Sequence, residues 1–373
     1  MNYSIGIDAR FYRSTTGGLG RYTQNLLKEL GKLDAENHYT VILTPEDEEE
    51  YISPGANFQK LVVDIPHYSL AEQRRFHKIL NDQNFDLVHF TNFNHPILYR
   101  RPFVVTVHDL IMHLYPSGAQ QGSFVRRLAY RLVMNDARRA KKVIVPSQSS
   151  YNDMVRMLNF SAEKLAITLE GSEARFQPHS ASQVAAIKAK FKLPDRFLIF
   201  VSRWEKYKGI FALIEAYKQL VATNPDLGLV ICGKPDKQNP EVAQFVAEHQ
   251  KRFPNIITPG FVSNDDLAVL YSAATVYVHP SWYEGFGIMI LEAFGAGTPV
   301  VTSNVSSLPE VVGDAGLLAN PHDSGDVADK IKMILDDPVL AESLRRKGYE
   351  QVKKFSWAKM AKETLSIYRE VLS

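Results

Sequence analysis

The sequence predicts an α/β protein made of two doubly wound, parallel-sheet domains in tandem. Short β-rich runs alternate with helical patterns, the alternation stops at a polar segment over residues 171–195, and it then starts again. Such alternation favours βαβ units and a parallel sheet covered by helices on both faces. The length of 373 residues also predicts two domains, at about 100–200 residues per domain.

The first domain is predicted to span residues 1–175. It begins with a strand, "YSIGID", followed by a glycine-rich loop and a helix over residues 21–30. Further helical segments are predicted at about 70–82 and 120–140. The remaining strands are predicted in "HYTVIL", "FQKLVV", "DLVHFT", "FVVTV" and "KVIVPS".

The second domain is predicted over residues 176–356, after a linker that contains "GSEARFQPHS" and "KLPD". Its strands are predicted in "RFLIFVS", "LGLVICG", "NIITPG", "ATVYVHP" and "TPVVTS", and the chain ends in helical patterns. In this architecture ligands bind outside the carboxyl ends of the strands. We therefore expect the functional residues at a cleft between the carboxyl ends of the two sheets.

Composition excludes several classes of protein. The formal net charge is +2, and no nucleic-acid-binding motif is found. Cys232, the single cysteine, lies in an apolar run and is predicted to be a buried small hydrophobe, so the chain forms no internal disulfide. No apolar stretch approaches the ~18 residues of a membrane span, and the N-terminus lacks a signal pattern. These features predict a cytoplasmic protein.

Two glutamates with seven residues between them, Glu284 and Glu292, stand in "EGFGIMILEAFGAG" after a predicted strand. A helix beginning near Ile288 would separate them by roughly 12 Å, beyond the ~5–9.5 Å of a glycosidase acid pair. This spacing suits a nucleotide diphosphate sugar, with Glu284 on the sugar, Glu292 on the ribose, and the amides of Phe286, Gly287 and Ile288 on the phosphates. The alternative is a helix with an exposed glutamate and a tight glycine turn.

Two cations, Arg203 and Lys208, follow the first predicted strand of the second domain in "VSRWEKYKG". A planar guanidinium and an ammonium together suit a diphosphate. A solvated basic turn is the alternative.

The first domain offers two further candidates. Gly17 and Gly18, in "STTGGLGRY", match neither a Walker loop nor G-x-G-x-x-G, and form either a flexible loop over phosphates or acceptor, or a simple turn. His108 follows a strand end, where catalytic groups of α/β proteins gather, but a core or capping histidine is equally consistent. No histidine or cysteine cluster suggests a metal site.

Basic residues are concentrated in segment 72–142. Within it, "FVRRLAYRLVMNDARRAKK" predicts a basic amphipathic helix with Phe124, Leu128 and Leu132 on one apolar stripe. This helix could dock on anionic lipid, or its stripe could face the core under a solvated basic face.

The motifs together resemble the retaining glycosyltransferases of the GT-B fold, family 4 (group 1). The order "GIDAR", "GGLGRY", "TVHDL" resembles the bacterial mannosyltransferase-like branch, and "SWYEGFGIMILEAFGAGTPVV" holds the most specific match. The resemblance covers essentially the whole chain. It implies a C-terminal helix, residues 357–373, that packs back on the first domain, an acceptor-side first domain and a donor-binding second domain.

The resemblance also implies residue roles. Arg203 and Lys208 would neutralise the diphosphate, Glu284 would bind the donor sugar and Glu292 the ribose. On the first domain, His108 would lie by the sugar, and Gly17 and Gly18 near phosphates and acceptor. The remaining donor-binding positions would be Gly285, Phe286, Gly287 and Ile288 on sugar and phosphate, and Phe261 and Val262 by the base.

The predicted function is metal-independent, retaining transfer of a hexose, best assigned as mannose from GDP-mannose, to a glycan or lipid-linked acceptor in surface polysaccharide synthesis. No cofactor is expected. A UDP- or ADP-sugar transferase, an epimerase or phosphorylase, and a non-catalytic nucleotide-sugar-binding protein are the alternatives.

The sequence departs from the family at Ser202, where glycine is common, and at "EGSE" (170–173), where Asn-Gly-Val-Asp is common. Neither departure is expected to touch a proposed charge contact. With no nucleophilic carboxylate evident near His108, same-face attack assisted by the leaving phosphate is the favoured mechanism.

Overall fold

The computed structural model describes residues 2–115 and 124–373, which divide into two compact units. The described part of the first unit is 2–110, 124–170 and 356–373, and that of the second is 111–115 and 171–355. The boundaries between the units thus fall after Glu170 and after Phe355. The sequence predicted these boundaries after residues 175 and 356. The acceptor and donor roles of the two domains stay predictions.

The first unit is built on a sheet of parallel strands: β1 (Ser4–Asp8), β2 (His38–Leu43), β3 (Phe58–Val62), β4 (Leu87–Phe90), β5 (Phe103–Thr106), β6 (Lys142–Val145) and β7 (Leu165–Ile167). Their order is β3-β2-β1-β4-β5-β6-β7, so the direction of winding reverses between β1 and β4. β4 and β5 are buried along their whole length, as expected for central parallel strands covered on both faces.

The helices up to the end of β7 are α1 (Gly18–Leu33), α2 (Pro45–Glu48), α3 (His77–Asp82), α4 (Ile111–Leu114), α5 (Phe124–Asp136) and α6 (Gln148–Leu158). The helical segment predicted at 70–82 begins with a π-helical turn over Glu72–Phe76 and continues as α3. The segment predicted at 120–140 contains α5, and residues 120–123 lie outside the described residues.

The second unit repeats the architecture with β8 (Phe197–Val201), β9 (Gly228–Cys232), β10 (Ile256–Gly260), β11 (Val276–His279), β12 (Val300–Ser303) and β13 (Leu317–Ala319). These strands are parallel in the order β10-β9-β8-β11-β12-β13, which is the 3-2-1-4-5-6 order of doubly wound sheets. Its winding reverses between β8 and β11. Cys232, at the end of β9, is buried as predicted, and burial raises the pKa of its thiol to about 12.

The helices that follow β7 are α7 (Ala181–Phe191), α8 (Ile210–Val221), α9 (Pro240–Arg252), α10 (Asn264–Ala273), α11 (Ile288–Ala296), α12 (Leu308–Val312), α13 (Ser324–Asp336), α14 (Pro338–Val352) and α15 (Trp357–Leu372). The linker predicted over 171–195 is wrong at α7, where Ser180 and Gln183 form a reciprocal capping box that starts the helix. β7 and β13 were not predicted, because three residues are too few to show a strand pattern.

The C-terminal helix α15 belongs to the first unit and packs against α1. The hydroxyl of Tyr3 donates to the carbonyl of Leu372 at 3.1 Å, and the hydroxyl of Tyr368 lies 2.5 Å from Nδ1 of the buried His89. In the described ranges, no helix has both the length and the apolar character needed to cross a membrane.

Candidate active site

Two loops of the second unit meet at the switch point between β8 and β11. The amide of Trp282, after β11, donates to the carbonyl of Tyr207, after β8, at 2.7 Å, and the hydroxyl of Ser281 donates to the same carbonyl at 3.2 Å. Gly209 has a φ of +79°, and a Cβ there would lie 1.9 Å from the carbonyl oxygen of Pro280. Only glycine allows this approach, which fixes the loop over 203–209 against the loop over 280–287.

This packing brings Lys208 and Glu284 together in a buried ion pair. The ammonium of Lys208 donates to both carboxylate oxygens, at 2.8 and 2.9 Å. Nε2 of His279, the last residue of β11, donates to the Glu284 carboxylate at 2.8 Å. Burial opposes ionisation of Glu284, but the Lys208 charge and the His279 hydrogen bond outweigh it and lower the pKa to about 2. Glu284 is therefore a carboxylate at neutral pH, able to accept hydrogen bonds from hydroxyl groups.

His279 itself is fully buried, with Phe200 and Tyr277 stacked beside its ring at centroid distances of 5.8 Å each. Its Nδ1 has no hydrogen-bond partner among the described residues. The ring therefore contributes one donor, which holds the Glu284 carboxylate in place.

The segment after Glu284 leads directly into α11, which begins at Ile288 as predicted. The hydroxyl of Ser307 donates to the carbonyls of Glu284 and Phe286 at 2.9 and 2.8 Å, which fixes the turn. Gly287 precedes the helix with a φ of +105°, and in the described structure no side chain caps the helix there. The first amides of α11 are thus available to an anion.

Both glutamates of the spaced pair are buried. Glu284 is 6% exposed, and Glu292, in the second turn of α11, is 1% exposed. The alternative of a helix with an exposed glutamate is therefore wrong. A structural role of the buried side chain remains the competing explanation for Glu292, whose ribose contact stays a prediction.

The other predicted donor residues lie at the same edge of the sheet but are more exposed. The side chain of Arg203 is 75% exposed, and its Nη2 lies 3.4 Å from the carboxylate of Glu205. Phe261 directly follows β10 and is 66% exposed, with the ammonium of Lys234 at 4.9 Å from its ring centroid. Val262 is half-buried beside it.

In the first unit, the two glycines lie where α1 begins. Gly17 precedes the helix with φ 69° and ψ −130°, a conformation open essentially to glycine, and both Gly17 and Gly18 are exposed. Neither would bring an added Cβ within 4 Å of another residue. The backbone thus explains the glycine at 17 and leaves the glycine at 18 without a structural reason.

His108 follows β5 in the first unit and is held from three sides. Its Nε2 donates to the carbonyl of Thr91 at 2.9 Å, its Nδ1 lies 3.3 Å from the carboxylate of Glu170, and the ring of Tyr22 meets it edge-on at 4.6 Å. The structure corrects one expectation, because a carboxylate does lie near His108. This carboxylate belongs to "EGSE", one of the two places where the sequence departs from the family.

Sequence reasoning missed His279 and Glu170. His279 carried the same signal as His108, a histidine at the carboxyl end of an apolar strand, whereas Glu170 stood directly before the predicted linker and was noted only as part of a departure from the family. Residues 2–115 and 124–373 hold no cluster of three His, Cys, Asp or Glu side chains that could bind a metal ion.

Two family models match the chain, "Glycosyltransferase Family 4" over residues 16–171 and "Glycosyl transferases group 1" over residues 184–351. The chain is 30% identical over 368 residues to O-antigen chain mannosyltransferase B of Escherichia coli, an alignment that covers 94% of this chain and 96% of that relative.

Solved structures agree on the fold. Sucrose-phosphate synthase from Thermosynechococcus elongatus has a TM-score of 0.80 at 24% identity, with 99% of each chain covered. HepE of Anabaena, in complex with UDP and glucose, has a TM-score of 0.78 at 19% identity, with 99% of this chain and 100% of HepE covered. With both halves matched by the family models and a relative matched over 96% of its length, this chain belongs to the group 1 glycosyltransferases of family 4 and has the GT-B fold.

Proposed function

We propose that this glycosyltransferase moves mannose from GDP-mannose to a glycan or lipid-linked acceptor in surface polysaccharide synthesis, with retention and without a metal ion. The observation that carries the proposal is the buried Lys208–Glu284 pair, which lies at the switch point beside the uncapped start of α11. The relative that transfers mannose to an O-antigen chain supports the choice of sugar and of acceptor class. The enzyme would act in the cytoplasm, at the inner face of the cell membrane.

In this proposal the diphosphate binds at the N-terminus of α11. Lys208 supplies a fixed positive charge that Glu284 holds in position, and Arg203 supplies a guanidinium that is 75% exposed. The amides of 286–288 add donors that need no reorganisation. Cations and amides that face a departing diphosphate stabilise the charge that develops as the sugar leaves.

The remaining donor contacts follow from burial and chemistry. Glu284, ionised at neutral pH, would accept hydrogen bonds from hexose hydroxyls, and Glu292 would bind the ribose. The exposed ring of Phe261, with Val262 beside it, offers an apolar surface for the base. On the first unit we assign His108 to the donor sugar, and Gly17 and Gly18 to the phosphates and acceptor.

Retention is proposed to arise from same-face attack assisted by the leaving phosphate. Because Glu170 lies 3.3 Å from His108, a double displacement with Glu170 as nucleophile is a second candidate. A covalent glycosyl-enzyme, detected by mass spectrometry after rapid quenching with donor, would favour the second candidate. Its absence in an active enzyme would favour the first.

The donor is tested first by thermal unfolding with GDP, UDP, ADP and their sugar conjugates, without added metal. We expect GDP and GDP-mannose alone to raise the melting temperature. A rise with UDP or ADP compounds instead would identify another donor class, and a UDP donor is the leading alternative given the contents of the HepE complex.

Transfer is then measured with radiolabelled donor and lipid-linked or free glycan acceptors, in the presence of EDTA. Retention predicts that NMR of the product shows the anomeric configuration of the donor. An inverted product, loss of transfer in EDTA, or conversion of the donor to its epimer would each contradict the corresponding part of the proposal. Nucleotide binding without transfer or donor hydrolysis would indicate a binding protein.

A further inference from the structure

Helix α5 turns a row of large apolar side chains toward solvent. Phe124, Val125, Leu128 and Leu132 are 78%, 71%, 46% and 52% exposed. At about 100° per residue they lie within roughly 100° of the helix circumference. The helix packs on the first unit through its opposite side, with Tyr130, Val133 and Met134. The alternative that the apolar stripe of this helix faces the core is therefore wrong, because its side chains are exposed.

The same helix is strongly basic. Arg126, Arg127 and Arg131 are exposed, and within the described structure neither Arg127 nor Arg131 forms an ion pair. Asp136 is the acidic residue of this helix. Its carboxylate lies 3.2 Å from Nε2 of His95, 3.4 Å from the guanidinium of Arg100, and 3.0 and 3.1 Å from that of Arg139. Its charge is thus compensated locally, and the exposed arginines leave the surface positive.

We propose that this face of α5, defined by Phe124, Val125, Leu128 and Leu132 with Arg127 and Arg131, docks on the surface of a membrane that contains anionic lipid. The apolar side chains would enter the boundary between headgroups and acyl chains, about 5–10 Å deep, while the arginines meet anionic headgroups. The row spans about 12 Å along the helix, which suits a helix lying in the plane of the interface. Charge favours this occupant over an apolar protein partner.

The inference rests on the proposed function only in that a lipid-linked acceptor would give docking a purpose. It is tested without donor or acceptor, so its failure is distinguishable from failure of the proposed transfer. The experiment is flotation of the full chain with vesicles of phosphatidylcholine alone, or with about a third phosphatidylglycerol. We expect binding only to the anionic vesicles, and weaker binding at high salt because salt screens surface charge.

Two variants locate the surface. The double variants Phe124→Ser/Leu128→Ser and Arg127→Gln/Arg131→Gln should each weaken binding by about tenfold or more. The first removes two apolar side chains that would enter the membrane, and the second removes two positive charges. Val339→Ser changes a valine that is 80% exposed on the second unit and should bind as the wild type does. Circular dichroism and thermal unfolding of each variant check that the fold is intact.

Three results would overturn the proposal: no binding of the full chain to anionic vesicles, equal binding to both vesicle types, or unchanged binding by both double variants. Light scattering is measured on the same samples. A concentration-dependent dimer that Phe124→Ser/Leu128→Ser abolishes would assign the face to a second copy of the chain and also overturn it. Charge-dependent binding lost in both double variants, with Val339→Ser unaffected, would support it.

Discussion

The carboxylate of Glu170 lies 3.3 Å from Nδ1 of His108, on the opposite side of the ring from the carbonyl of Thr91, which accepts from Nε2 at 2.9 Å. Glu170 and the side chain of His108 are both largely buried. Both ring nitrogens therefore face oxygen atoms that can accept a hydrogen bond. Glu170 thus fixes the orientation of the imidazole and adds a negative charge next to it.

Glu170→Gln is expected to reduce transfer by roughly tenfold while the protein remains folded, because the amide keeps the shape but loses the charge of the hydrogen-bond acceptor. Glu173→Gln is the matched control, since Glu173 belongs to the same segment and pairs with Arg175 at 2.8 Å instead. Steady-state kinetics of both variants provides the measurement. Complete loss of turnover in Glu170→Gln, together with a covalent adduct in the wild type, would identify a nucleophile and contradict the positioning role.

Lys208 and Glu284 are expected to be strongly coupled, because removing one partner leaves the other charge buried. Lys208→Ala and Glu284→Ala should each lower transfer at least tenfold and destabilise the protein by about 3–5 kcal/mol, and the double variant should cost less than the sum. Urea unfolding of the four proteins gives the coupling energy.

The pair Lys218–Glu215 on α8 is the control for this double-mutant cycle, in which the coupling energy of Lys208 and Glu284 is measured. Its side chains are 30% and 41% exposed at an N–O distance of 2.8 Å, so its coupling should stay below about 1 kcal/mol. Additive effects of Lys208→Ala and Glu284→Ala, or near-normal turnover in either variant, would contradict the site assignment.

The sequence was sufficient to predict both parallel sheets, since their strands are continuous apolar runs such as β8 and β9 with helices between them. It also placed the start of α11 and the residues around it, because glycines and a preceding strand mark the turn. It could not predict which charges would pair. Lys208 meets Glu284 only because Gly209 lets the backbone approach Pro280, 71 residues later in the chain, and no local pattern encodes that contact. Glu170 was missed for the same reason.

Gly17 and Gly18 are expected to respond differently to alanine. Gly17→Ala should lower the free energy of unfolding by about 1–3 kcal/mol, because φ 69° with ψ −130° strains any side chain. Gly18→Ala should leave stability unchanged or slightly raised, since Gly18 is the first residue of α1 and its Cβ would meet open space. If the loop approaches the substrate, Gly18→Ala should nevertheless raise the KM for donor or acceptor. A normal KM for both substrates would remove Gly18 from the site.

Stability should depend on pH through His89, which is fully buried in β4. Burial, with a smaller effect of the nearby His108, lowers the pKa of its imidazole to about 3. Its ring nitrogens lie 2.8 Å from the hydroxyl of Thr106 and 2.5 Å from that of Tyr368 on α15. In the unfolded chain a histidine has a pKa of about 6.5, so below that pH the unfolded state binds a proton that the folded state does not. The contribution of His89 is therefore complete above about pH 6.5 and is lost as the pH falls toward 3.

His89→Gln keeps a polar side chain but removes the titration. Between about pH 6.5 and pH 5, the free energy of unfolding of the wild type should fall by about 2 kcal/mol relative to this variant, because the slope approaches ~1.4 kcal/mol per pH unit. Tyr368→Phe is the control, since it removes one hydrogen bond to His89 but leaves the imidazole able to titrate; it should lower stability by a similar amount at each pH. Urea unfolding of the three proteins across this range gives the comparison. A constant gap between wild type and His89→Gln would mean that His89 takes up its proton in the folded protein as well, and the buried network between β4 and α15 would then have to accommodate a charge.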